Sequence, residues 1–292
     1  MADGLVLTRR VSERGVHDWA LRPVDPKSAG AVREYVGYEE WTDQGFVRRE
    51  VARCEVALIL AFGDEIDVHD GEVGPEPRRL QAFVVGNQSY PSMTGVRGHQ
   101  LGVQVELTAA GALALLGDVG AYNDSVVPLD EALGGPGAQL PERLADVPSW
   151  EARLDLLDSW FAAREVPTLA PEVRWLREQL VASRGQARVE PLMDDTGWSR
   201  RHVTERFRRQ LGIAPKAFAR LLRFQHAAAL LTEVRPRRSL ADVAMAAGYY
   251  DQSHLTRDFA ALAGMTPGTY AADATAAPEV SFVQDVEERA PA

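Results

Sequence analysis

The last third of the chain contains one sequence pattern twice. Residues 196–218 read TGWSRRHVTERFRRQLGIAPKAF, and residues 247–270 read AGYYDQSHLTRDFAALAGMTPGTY. An offset of 52 positions pairs His202 with His254, Phe207 with Phe259, Gly212 with Gly264, Pro215 with Pro267 and Phe218 with Tyr270. Such self-similarity at a fixed offset indicates that one supersecondary unit occurs twice.

Each copy predicts a short helix, a glycine turn and a second helix. Gly197 and Gly248 can adopt the positive φ that ends the first helix. Ser199 and Asp251 are favourable N-caps for the second helix. A branched apolar residue followed four positions later by phenylalanine gives that helix one buried face in both copies. The order is that of a helix-turn-helix, whose second helix enters the DNA major groove.

The outward face of the second helix carries polar side chains. In the second copy these are Gln252, Ser253, Thr256 and Arg257. Glutamine reads adenine and arginine reads guanine through paired hydrogen bonds, at about 1–3 kcal/mol of discrimination per good pair. The alternative is a solvated helix face, but equivalent faces in both copies favour contact with DNA.

Two further helices are predicted around the units. Residues 215–233 carry apolar residues at helical spacing and predict one long helix between the copies. A rigid helix would hold both second helices at one separation, and successive major grooves on one face of DNA lie about 34 Å apart. Residues 171–185 predict an amphipathic helix that ends at Gly185.

The charge distribution agrees with a nucleic-acid partner. The net charge is −10, yet residues 184–270 hold 14 basic and 8 acidic residues, against 18 and 34 in the rest. A basic segment within an acidic chain is typical of nucleic-acid contact. Arginines such as Arg206, Arg208 and Arg209 would neutralise DNA phosphates, so affinity should fall as salt rises.

Residues 240–270 resemble the AraC/XylS family of transcription regulators. The resemblance rests on the spacing of Ala-Gly-Tyr, Asp-Gln-Ser-His, Arg-x-Phe and Gly-x-Thr-Pro-x-x-Tyr, and with the first copy it covers residues 171–270. It implies that two helix-turn-helix units read promoter DNA. The resemblance places base-contacting positions at Arg201, Thr204 and Glu205, with Arg200 beside them, and at Gln252, Ser253 and Arg257.

Two residues depart from the pattern of that family. Glu205 puts an acid where the family often has a base, so it either accepts a hydrogen bond from a cytosine amino group or makes the first unit a weak reader. Met193 fills a position that is usually small, which predicts different packing there.

The N-terminal half predicts a β-rich domain with flanking helices, so the fold class is α+β. Strands are predicted within 51–63, 80–86 and 99–107, and helices over 107–117 and 149–165. The Gly- and Pro-rich segment 118–148 predicts a loop. The predicted domains are a sensor or dimerisation domain over 1–165, which the resemblance implies to be cupin-like, a DNA-binding domain over 166–272 and a disordered tail over 273–292.

The resemblance and the aromatic content predict a small-molecule pocket in the N-terminal half. Core packing is the alternative role for each aromatic side chain. The candidate ligand-binding residues are Trp19, Tyr38, Trp41, Phe62, Phe83, Tyr90 and His99. No cofactor and no metal is predicted, because strand alternation puts His99 and Glu106 on opposite faces and His69 falls in a predicted loop.

We therefore predict a cytoplasmic transcription regulator without catalytic activity. The expected partners are double-stranded promoter DNA and a small-molecule effector, and the resemblance adds a homodimer and RNA polymerase. No membrane span is predicted, since no run of about 18 apolar residues occurs.

The alternative is an enzyme with a regulator-type DNA-binding domain. An alkyl-DNA repair protein would need a reactive zinc-held cysteine, whereas Cys54 is predicted to lie buried in a strand, and a cupin metalloenzyme would need a metal site.

Overall fold

The computed structural model describes residues 4–12, 15–69, 76–233 and 238–276, and all strands but the last precede the first helix. The strands are β1 (Val6–Ser12), β2 (Gly15–Leu21), β3 (Val32–Glu50), β4 (Ala57–Ala61), β5 (Ile66–His69), β6 (Arg78–Leu80), β7 (Ala82–Val85), β8 (Ser92–Leu107) and β9 (Val126–Pro128). The helices are α1 (Ala109–Leu116), α2 (Leu129–Leu133), α3 (Gly135–Ala138), α4 (Leu140–Ala145), α5 (Trp150–Ala162), α6 (Pro171–Ala182), α7 (Val189–Asp195), α8 (Arg200–Leu211), α9 (Pro215–Thr232), α10 (Leu240–Ala246), α11 (Gln252–Leu262) and α12 (Pro267–Ala276). The predicted α+β class, a β-rich half followed by a helical half, is confirmed.

The strands form one antiparallel sheet built around β3 and β8. Its order is β1-β2-β3-β8-β4-β7-β9, with β5 paired to both β6 and β8. The β3–β8 register runs from Val32 opposite Leu107 to Glu50 opposite Ser92 and shifts near Gly45, which has a φ of 66°. Such a bulge bends the long strand pair.

Both faces of the sheet are covered. On the outer face, Val103 and Val105 of β8 pack against a layer that contains α1, α4 and α5. On the inner face, Phe83 joins a smaller apolar cluster, and Gln100 and Gln104 are buried beside it. Because Tyr38 of β3 and Phe83 of β7 line one cavity, the sheet curves around it.

The helical region has a single apolar core centred on α9. Phe218 of α9 contacts Phe207 of α8 with ring centroids 5.6 Å apart, and Phe224 contacts Phe259 of α11 at 4.9 Å. The predicted linking helix is therefore present, and it joins both repeat units into one packed body. No helix among the described residues combines the length and apolarity needed to cross a membrane.

Several predicted elements differ from the structure. The segment 118–148, predicted to be a loop, contains β9, three short helices and a 3₁₀ turn at Val119–Tyr122, because Leu140 and Leu144 are fully buried against the sheet. His69 ends strand β5 and is buried, whereas a loop was predicted. The strand predicted over 51–63 begins only at Ala57. Residues 273–276 of the predicted tail belong to α12, and residues 277–292 lie outside the described residues.

Candidate nucleic-acid interface

The first repeat unit consists of α7, a turn and α8. Gly197 in the turn has a φ of 74°, as predicted. The Ser199 hydroxyl accepts a hydrogen bond from the backbone N–H of His202 and so caps α8. Val203 and Phe207 are buried in the helical core. These contacts fix which face of α8 points to solvent.

The second unit repeats this geometry with α10 and α11. Gly248 has a φ of 78°. The Asp251 carboxylate accepts from the His254 backbone N–H at 2.7 Å, which caps α11. Leu255 and Phe259 are fully buried. The predicted helix, turn and helix are thus confirmed in both copies.

The second unit presents exposed polar side chains, and within the described part of the chain no acidic side chain forms an ion pair with its arginine, Arg257. Gln252, Ser253 and Arg257 are exposed on the first turns of α11. The Thr256 hydroxyl donates to the Gln252 carbonyl, and Arg257 Nε donates to the Ser253 carbonyl at 3.3 Å. These bonds orient the Thr256 and Arg257 side chains along the helix.

The first unit differs, because acids already neutralise two of its cations. Arg200 forms a paired contact with Asp194 of α7, the shorter distance being 2.5 Å. Arg201 Nε lies 3.1 Å from Glu205 Oε1 on the same helix. The Thr204 hydroxyl donates to the Arg200 carbonyl. Arg208, one to two turns further along α8, is exposed.

His202 and His254, which are equivalent in the repeat, make the same kind of contact with an aromatic residue of the preceding turn. The His202 ring packs edge-on against Trp198 at 4.4 Å, and the His254 ring packs edge-on against Tyr249 at 5.1 Å. Each histidine therefore braces the turn of its unit.

Comparison with known proteins identifies the helical region. Residues 192–273 match a family model described as a helix-turn-helix domain. Residues 192–273 are an AraC-type helix-turn-helix domain. No curated protein is similar in sequence.

Solved structures similar to the chain include ToxT from Vibrio cholerae, at 10% identity over 82% of this chain and 98% of that one, with a TM-score of 0.45. The C-terminal domain of AraT, a response regulator from Geobacillus stearothermophilus, is similar at 22% identity over 36% of this chain and 88% of its own, with a TM-score of 0.34. The AraC-like transcriptional activator CuxR is similar at 12% identity over 69% and 79% of the two chains, with a TM-score of 0.28.

The AraC-type domain accommodates Met193 by packing. Its side chain is buried between α7 and α8, and its Sδ lies 3.8 Å from the Thr204 hydroxyl oxygen. The thioether therefore supports a residue of the candidate DNA-contacting helix. A smaller residue would leave a void there.

The predicted ligand-binding residues do not form one cluster. Of the seven, Tyr38 and Phe83 line the cavity of about 80 Å³ on the inner face of the sheet. Trp41 and His99 are register partners, stack at 3.7 Å and lie at the surface or partly buried, with the His99 ring 2.9 Å from Glu39. The remaining three lie apart from this cavity: Trp19 stacks on His17, Phe62 packs under Arg153, and Tyr90 donates to the Asp124 carbonyl.

Sequence reasoning missed Arg53, the most unusual residue of that cavity. It is nine-tenths buried, and within the described residues its Nε and Nη2 have no hydrogen-bond partner. Although burial opposes it, Arg53 and Arg33 hold the pKa of Glu106 below its usual value. Both Glu106 oxygens, however, already accept hydrogen bonds, from Arg33 and from Gln104. No sequence motif marks Arg53, because the groups around it come from distant strands.

The residues considered for a catalytic nucleophile or a metal site are Cys54, His99 and Glu106. Cys54 lies between β3 and β4, with its Sγ 3.5 Å from Gln225 of α9, and burial raises the pKa of its thiol well above the usual value. His99 and Glu106 lie on opposite faces of β8, as predicted. Among the described residues, no group of three His, Cys, Asp or Glu side chains is arranged to hold a metal ion.

Proposed function

We propose that this chain is a transcription regulator that binds promoter DNA through α8 and α11 together and senses a small molecule in its N-terminal half. One observation carries the DNA-binding part. Two equivalent helices of an AraC-type domain bury their apolar faces in one core and turn polar N-terminal faces to solvent.

The two helices would have different roles in DNA binding. In α11, Gln252 and Arg257 are exposed donors without an acidic partner among the described residues, so they are suited to base edges in a major groove. On α8, Arg200 and Arg201 are neutralised by Asp194 of α7 and by Glu205. We therefore assign more of the base discrimination to α11 and more of the positioning to α8.

For the effector we propose a small molecule with a carboxylate or similarly planar anionic group. Nε and Nη2 of Arg53, which have no hydrogen-bond partner among the described residues, form the edge with which a guanidinium can bind a carboxylate through two parallel hydrogen bonds. Apolar residues such as Phe83 and Val126 line part of the cavity, beside polar side chains that include Glu50 and Gln104, and this apolar part suits a short hydrocarbon chain. A volume of about 80 Å³ suits an effector of a few non-hydrogen atoms.

Selection from random-sequence duplexes tests the DNA-binding part. The full chain is expected to enrich a sequence with two conserved blocks. The variant with Gln252→Ala and Arg257→Ala is expected to lose the block read by α11 and to keep the other. Failure of the wild-type chain to enrich any sequence over the starting pool would contradict the proposed function.

Thermal unfolding with matched ligands tests the effector part. A short carboxylate such as butyrate should raise the unfolding temperature, whereas the uncharged butyramide should not. At a ligand concentration of about one hundred times Kd, the stabilisation would be about 2.7 kcal/mol. Arg53→Met should abolish the effect, and Arg97→Met, at an exposed arginine on the same sheet, should preserve it. Equal stabilisation of the Arg53 variant, or none of the wild type by any short carboxylate, would refute the assignment.

Homodimerisation and contact with RNA polymerase stay predictions of the resemblance. We propose no catalytic step for this chain. The raised pKa of the Cys54 thiol disfavours the thiolate that an alkyl-transfer nucleophile needs.

A further inference from the structure

The N-terminal half contacts the carboxyl end of the first candidate DNA-reading helix. Asn87 Nδ2 donates to the carbonyl of Leu211, the last residue of α8, at 3.1 Å. Asn123 Nδ2 donates to the carbonyl of Gly212, which follows it, at 2.6 Å. The two amides also bond to each other at 2.9 Å. Gly212 has a φ of 77°, and a Cβ there would lie 2.9 Å from Val119 Cγ1, so the two halves meet closely at this corner.

The same half also contacts the carboxyl end of the second reading helix. The backbone N–H of Ala52 donates to the carbonyl of Leu262, the last residue of α11, at 2.8 Å. Ala52 is fully buried and belongs to the helical core. Beyond α11, a Cβ on Gly264 would lie 2.6 Å from Arg49 Nη1 and 3.1 Å from Pro91 Cγ. Gly212 and Gly264 are equivalent in the repeat. The N-terminal half therefore contacts the same turn, just after the second helix, in both units.

These contacts act on groups that helices leave unsatisfied. The last four carbonyls of an α-helix accept no hydrogen bond from within the helix. Donors from elsewhere can therefore bind them and fix that end of the helix. The two donor segments are tied together, because Arg53 and Gln88 form a β-bridge with N–O distances of 3.0 and 2.8 Å. Ala52 and Asn87 flank this bridge. The three donors therefore belong to one body that spans both reading helices.

We infer that Ala52, Asn87 and Asn123 are positioning residues, which hold α8 and α11 at one separation and so set the spacing between the two half-sites in DNA. The inference rests on the proposed function, since half-sites exist only if both helices read DNA. The core centred on α9 packs the two units together, and the three donors add hydrogen bonds from the N-terminal half at the far end of each reading helix. The Arg53–Gln88 bridge also borders the cavity of the proposed effector.

Spacing variants of the selected duplex test the inference. The wild-type chain should prefer one distance between the two blocks over duplexes with one or two base pairs inserted or removed. The full chain with Asn87→Ala and Asn123→Ala should lose about tenfold of that preference, as two hydrogen bonds of ordinary net strength would give. If that variant does not fold, Asn123→Ala alone should lose part of the preference.

Gln186→Ala provides the matched control. Its amide donates to the carbonyl of Ala246, the last residue of α10, at 3.0 Å, but it lies within the helical region. The control removes an amide-to-carbonyl bond at a helix end without freeing either reading helix from the N-terminal half. It should lower stability by the contribution of one such bond, about half of the loss in the double variant, and leave the spacing preference unchanged. An unchanged preference in the Asn87 and Asn123 variant, or an equal loss in the control, would overturn the inference.

A measurement without DNA separates this inference from the proposed function. Spin labels at Arg209→Cys on α8 and Ala261→Cys on α11, in a Cys54→Ala background, report the distance between the helices; both labelled positions are exposed. We expect a narrow distance distribution that broadens in the Asn87 and Asn123 variant and stays narrow with Gln186→Ala. Equal widths in all three proteins would overturn the inference, whether or not the chain binds DNA.

Discussion

Replacement of Glu205 by glutamine distinguishes two roles for the acid on α8. Arg201 Nε and Glu205 Oε1 lie 3.1 Å apart, and the two side chains are 89% and 62% exposed. An ion pair this exposed contributes only about 0.2–1 kcal/mol to stability, so the fold should tolerate the change. If Glu205 only neutralises Arg201, the substitution frees one cation for a DNA phosphate.

The expected gain can be calculated from counterion release. One additional neutralised phosphate steepens the slope of log K against log salt by about 0.9. The affinity advantage of Glu205→Gln over the wild type should therefore shrink about three- to fourfold between 50 and 200 mM salt. The assay is fluorescence anisotropy with the selected duplex over that salt range. Glu178→Gln makes the same charge change on the exposed surface of α6, and it should leave the slope unchanged.

The opposite result would refute this reasoning. A carboxylate that accepts a hydrogen bond from a cytosine amino group discriminates by about 1–3 kcal/mol. In that case Glu205→Gln would weaken binding and would relax the preference at one C·G pair. A slope equal to that of the wild type would likewise show that Arg201 gains no phosphate.

Three further outcomes are expected. Arg257→Ala should weaken binding and relax the preference at one base pair, whereas Arg209→Ala should weaken all sequences alike; competition against an operator variant library distinguishes them. Phe259→Ala should lower the free energy of unfolding by about 3–5 kcal/mol in denaturant titrations, because the fully buried ring packs between α9 and α12. Burial and the facing Glu106 raise the pKa of Glu34 to about 7 from an ordinary 4.5. Since the unfolded chain then releases this proton at lower pH than the folded chain, stability should fall between about pH 4.5 and 7, and Glu34→Gln should reduce that fall in unfolding experiments across pH.

The helical region could be predicted because its determinants are local. Gly197, Gly248, Ser199 and Asp251 act within a few residues of themselves, as turn formers and N-caps. Because the pattern occurs twice, each turn and N-cap assignment in one copy is supported by the equivalent residue in the other. The base contacts themselves stay predictions, because they depend on a partner outside the chain.

The sheet was harder to predict because its polar residues hide the strand pattern. β3 runs through Val32–Glu50, yet the sequence gives no clear alternation there. Glu40 and Arg48 are buried on it and satisfy each other at 2.8 Å, so charged residues occupy interior positions. The cavity around Arg53 and the contacts of Asn87 join residues that lie far apart in sequence. Their geometry depends on strand register, which no local pattern encodes.

Affinity cleavage tests most directly whether both helices read one duplex. A tethered iron chelate is placed at Asp195→Cys at the end of α7 or at Met245→Cys in α10, in a Cys54→Ala background; both positions are exposed and precede a reading helix. On the selected duplex, the two proteins should cut at sites centred about one helical turn, 10–10.5 base pairs, apart on one face of the DNA. Cuts at one shared site, on opposite faces, or from only one of the two positions would contradict the proposal that α8 and α11 occupy successive major grooves.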